Sequence, residues 1–181
     1  MEAISPTVWF PVVTLVVGLL LKAVFDALTE NRKAAVDKAS RVEKRKEIIL
    51  LQRIDSQRKA LGDLQIAIAD MVRSTNLLQM HDIENHKKTG TWGEVEAPAD
   101  LDELSRSNFR AVTLMKVRVC DEKVRQSAND LTARCSKMVF TKTKEDAHQV
   151  MVSVAILYSE INETIGESLR ALEQDEQALL I

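Results

Sequence analysis

The chain has 181 residues, 45 % of them hydrophobic but only 4 % aromatic, with five Gly, three Pro and a net charge of −2. So few aromatics and turn formers argue against a β-sandwich or an α/β fold and for an all-α chain of long helices. Residues 22–59 hold 11 Lys/Arg against 6 Asp/Glu. The rest is therefore acidic, which speaks against a nucleic-acid-binding body.

The first element is an uncharged run of nineteen residues, Ala3–Leu21, almost all apolar from Val8 onward. That length fits the hydrocarbon core of a bilayer, which takes about 20 apolar residues in a helix. It predicts a single transmembrane anchor within residues 1–29. Val8, Val13, Val17 and Leu20 would face lipid, Trp9 and Phe10 would sit at one interface, and Lys22 would snorkel at the other. The acid before the run and the basic flank after it predict an N-terminus outside and a cytoplasmic body in a single-pass cell-membrane protein. No positive leader region or small-residue cleavage site accompanies the run, so the segment is expected to remain attached.

Residues 30–47 are dense in charge and read as a solvated helical stalk whose basic excess suits anionic headgroups. From Val12 to Ala97 there is no proline, so the anchor can continue unbroken into this helix. Leu50, Ile54, Leu61, Leu64, Ile68, Met71 and Leu78 then recur at a spacing near 3.5, the pattern of a seam against other helices. This begins a bundle over residues 48–181. Helix one is expected to end near His86, because residues 87–99 contain Gly90, Gly93 and Pro98.

Asp100 with Glu103 has the spacing of a capping box opening helix two. Its apolar positions are Leu101, Leu104, Val112, Met115 and Val119. After Glu122 the phase slips to Val124, Ala128, Leu131, Cys135 and Met138. The β-branched stretch 111–119 is kept helical for want of partner strands. Thr143 and Asp146 form a second capping signature after a turn at 141–143. Helix three then carries Ala147, Val150, Val154, Tyr158, Ile161, Ile165, Leu169 and Leu172 at gaps of three and four. Val150–Tyr158, apolar at eight of nine positions, is expected to be the best-buried part.

Candidate chemistry is sparse. Asp82 and His86 share a helix face, but two ligands do not make a metal site. Ser56-Gln-Arg-Lys59 and Lys88-Thr-Gly90 imitate short motifs of serine penicillin-recognising enzymes, but their order is wrong. Cys120 and Cys135 are too far apart on one helix for a disulfide and read as reduced thiols. No catalytic, cofactor-binding or metal-ligating set emerges. Trp92, between two glycines, is the one candidate partner surface. With three long helices it would meet the tail Leu179, Leu180 and Ile181 at a shared tip.

The expectation is a transmembrane helix, a stalk and a coiled-coil-like antiparallel bundle of about three helices. Its function would be that of a non-enzymatic membrane-anchored interaction or scaffold protein, binding itself or another helical protein beside the lipid bilayer. It would use no nucleic acid, small-molecule substrate or cofactor. The alternative is a membrane-active effector, phage-type or defensive, whose oligomerised anchors perturb the bilayer.

Overall fold

The computed structural model describes residues 6–179, with side chains from residue 14 onward except residue 35. Among these residues there are four helices and no strand: α1 (Pro6–Thr89), α2 (Ala99–Lys116), α3 (Glu122–Val139) and α4 (Lys144–Leu179). The chain divides into two units, Met1–Leu50 and Leu51–Ile181. In the first, every described side chain is exposed.

Among the described residues no helix is long and apolar enough to cross a membrane. This overturns the expected single-pass cell-membrane location, with its outside N-terminus and cytoplasmic body. From Thr14, where described side chains begin, the uncharged run lasts only to Leu21 before Lys22 and Asp26 intervene. Val17, Leu20 and Lys22 are exposed positions of α1. Val8, Trp9, Phe10 and Val13 lie outside the described side chains, and residues 3–5 lie outside the described residues altogether.

The second unit is a helical bundle. Its core joins Leu61, Leu64, Ile68 and Met71 of α1 to Val112 of α2, Val124, Leu131 and Cys135 of α3, and Val154, Ile161 and Ile165 of α4, all 2 % exposed or less. Each helix contributes one stripe at helical spacing, so burying the stripes together removes the apolar faces from water while charged faces stay wet. Side-chain bonds fix the directions. Asn108 on α2 donates to the Asp70 carbonyl of α1 at 3.0 Å, and Gln57 donates to the Arg118 carbonyl at 3.1 Å, so α2 runs antiparallel to α1. Gln65 donates to Asn162 at 2.8 Å, and Arg58 pairs with Glu176 at 2.6 Å, so α4 also runs antiparallel to α1.

The expected second helix is two helices. α2 stops at Lys116, the chain turns through Val117–Asp121, and α3 starts at Glu122. Residues 111–116 are helical and 117–119 belong to the turn. Asp121 caps α3: its Oδ1 accepts from Lys123 N at 2.8 Å and Val124 N at 3.4 Å. The slip in periodicity after Glu122 is the trace of this reversal. α2 is capped differently from expectation. Its N-cap is Pro98, which makes no side-chain cap bond, and Asp100 lies inside the helix as part of its acidic first turn. At α4 the signature holds, with Asp146 N donating to Thr143 Oγ1 at 3.1 Å. Val150–Tyr158 is not buried throughout: Val150 and Val154 face the core, while Val152 and Ile156 are exposed. One face of a helix is all a four-helix core can cover.

Candidate functional site

Trp92 lies at the end of the bundle where the α1–α2 loop meets the α3–α4 turn. α1 closes with Gly90 N donating to the His86 carbonyl at 2.9 Å, and Gly90 has φ of +76°, the left-handed conformation suited to glycine at a helix end. Gly93, at φ +68°, turns the chain again. Trp92 between them folds back, half-buried against the core, with its ring edge-on to His86 at 5.8 Å and 65°. Beside it a cavity of about 210 Å³ is lined by Leu78, Asp82, Trp92, Val95, Met138 and Thr141. Burial raises the Asp82 carboxyl above its ordinary range, and the neighbouring His81 partly offsets this.

The tail does not join Trp92. Leu179 closes α4, whose Glu176 is paired with Arg58, at the end opposite the loop. Leu180 and Ile181 lie outside the described residues. The extra reversal at 117–121 sends α4 back the other way, so the expected shared tip does not exist.

That opposite end is organised by residues to which the sequence drew no attention. The Gln57 amide reaches from α1 to both sides of the α2–α3 turn, donating to the Arg118 carbonyl and accepting from Cys120 N at 2.7 Å. Arg125 donates to the Val119 carbonyl at 3.0 Å. Ser168 of α4 donates to the second Asp121 carboxylate oxygen. One carboxylate thus caps α3 and ties it to α4. Burial alone would raise the Asp121 carboxyl, but bonds from Ser168 and from the Val124 and Lys123 backbone outweigh it and hold the group below the usual carboxylate range. Only the cap could have been read locally; the partners of Gln57 and Asp121 lie 61, 63 and 47 residues away.

Two outcomes follow from this end. Asp121→Ala should lower stability by about 1–2 kcal/mol at pH 7, the usual cost of a lost cap. Because the folded carboxyl is held low, its contribution is present above the unfolded value of about 4 and fades as pH falls through the folded one. Melts taken from pH 7 down to pH 3 should therefore show the gap between wild type and variant narrowing in acid. The cysteines give the second outcome. Cys120 is exposed on the turn, whereas Cys135 is buried, and burial pushes its thiol up to about 11 despite a bond with Thr75. A thiolate is the reactive form, so iodoacetamide should add once under native conditions, at Cys120, and twice only after unfolding.

Among the described residues no group of three or more His, Cys, Asp or Glu is placed to hold a metal ion. Ser56 and Lys88 are separated by roughly 48 Å of helix. The remaining surface feature is apolar. In the first unit Leu15, Val16, Val17, Leu19, Leu20 and Leu21 are exposed, as are larger side chains at intervals down to Leu50. No family model matches the chain, and neither the curated proteins nor the solved structures compared with it show a match.

Proposed function

We propose that this chain is a non-enzymatic helical interaction protein, acting through helix–helix contacts with itself or another helical protein. The observation that supports this is the surface of α1 between Leu15 and Leu50. Its Leu, Val, Ile and Phe side chains are largely exposed, and none belongs to the buried core. Contiguous apolar surface beyond a few hundred Å² marks an interaction site on most proteins. A helical display of such side chains suits a partner helix, whose ridges and grooves fit its own. The reading calls for no cofactor, nucleic acid or small-molecule substrate. Purification of the full chain from cell extract, with mass determination of what accompanies it, tests the reading. A defined complex of two or more chains is expected. A lone monomer without partner would overturn it.

A further inference from the structure

We infer that the partner is a second copy of this chain, joined parallel and in register along α1 from Leu21 to Ile49; this rests on the interaction reading above. Counted from Gly18, alternating spacings of three and four run through positions 21, 25, 28, 32, 35, 39, 42, 46 and 49, of which Leu21, Phe25, Leu28, Ala39, Val42 and Ile49 are apolar and Arg32 and Lys46 charged. That is the seam of a two-stranded coiled coil. The neighbouring Val24, Val36 and Leu50 broaden it. The eight large side chains of this strip are 43–67 % exposed. Charge is distributed accordingly: Asp26, Glu30, Lys33, Asp37, Arg41 and Lys44 all fall on the outward positions. The next seam positions, Arg53 and Ser56, are polar and exposed. The strip therefore ends at Ile49, beside the boundary between the two units.

Area and charge select the occupant. A large apolar side chain removes roughly 60–120 Å² from water when buried. The strip thus offers roughly 500–1,000 Å² per helix, and a stable interface takes about 800 Å² from each partner. In a parallel in-register pair, Lys38 of one copy faces Glu43 of the other, twice by symmetry. Reversing one helix over the same span sets Lys38 against Asn31 and Glu43 against Thr29, with no opposite charges matched. Arg32 and Lys46 interrupt the seam. In register each faces its own copy, and their stems can lie along the seam with the charged ends in water, at a cost in stability. Sliding one helix by seven residues would set Lys38 against Val36 or Leu50 in place of Glu43.

Sedimentation equilibrium on the full chain should give the mass of two chains. Val42→Asp should weaken self-association at least about tenfold, while the bundle's melting temperature is unchanged, because Val42 lies outside the core. Geometry is read by cysteine cross-linking in a Cys120→Ser background. Val42→Cys at the seam should form an interchain disulfide under mild oxidation, and the outward Lys33→Cys should do so at least tenfold more slowly. A monomeric wild type, a dimer indifferent to Val42→Asp, or equal cross-linking at the two positions would overturn the pairing. A monomer that captures another helical protein would overturn the pairing alone and leave the interaction reading standing. A monomer that captures nothing would remove both.

Discussion

Val154→Asp should abolish the cooperative thermal melt of the bundle, while Ser159→Asp should leave it within about 0.5 kcal/mol of wild type. Val154 is completely buried in the core, and Ser159, five residues further along α4, is exposed. A carboxylate at position 154 would have neither water nor a charged partner. It would either stay ionised at great cost or take up a proton at a raised pKa. Either way the loss exceeds about 4 kcal/mol, a large share of the roughly 5–15 kcal/mol that holds a typical domain together. Protonation tells this cause from simple loss of volume. Lowering the pH toward 4 should restore part of the Val154→Asp fold, since the neutral acid costs less to bury, whereas Val154→Ala should gain nothing from acid. Equal melts for Val154→Asp and Ser159→Asp at neutral pH would show that the core face of α4 is wrongly assigned.

Trp92→Ala should lower the melting temperature without affecting association. Truncating a fully buried Trp costs about 3–5 kcal/mol. Trp92 is half-buried, so about 2 kcal/mol is expected, or roughly 6–10 °C for a bundle of this size. The loss comes from contact with the core and from the His86 edge. Trp92→Phe, which keeps a ring over His86, should recover most of it. If Trp92→Ala melts like wild type but no longer recovers a partner, the ring is an interaction anchor and its packing incidental.

Much of this bundle is legible as periodicity. Leu61, Leu64, Ile68 and Met71 on α1, Val124 to Met138 on α3, and Val154, Ile161 and Ile165 on α4 are all buried as their spacing requires. Periodicity reports which face of a helix is apolar, but it does not count reversals. The slip after Glu122 fits a helix that changes its buried face as well as one that ends. Asp121 decides between them, since it caps a new helix through Lys123 N and Val124 N. That single unread turn changed the parity of the fold and moved the C-terminal end of α4 away from Trp92. The exposure of Val152 and Ile156 was hidden for a related reason, since a run of consecutive apolar residues does not say which half of its helix a bundle leaves uncovered. The apolar N-terminal run misleads in the other direction. Composition alone made it a span, whereas among the described residues no helix is long and apolar enough to cross a membrane.

The pairing of Arg58 with Glu176 has a mechanical consequence. It places the start of the bundle on α1 and the last turn of α4 at the same end, with the α1–α2 loop and the α3–α4 turn at the other. Tension applied between residue 51 and Leu179 would therefore load one contact at a time. Arg58–Glu176 would part first, then Ser168–Asp121, then Gln65–Asn162, as α4 peels from the bundle. The bundle would open like a zipper at low force instead of resisting as a sheared block.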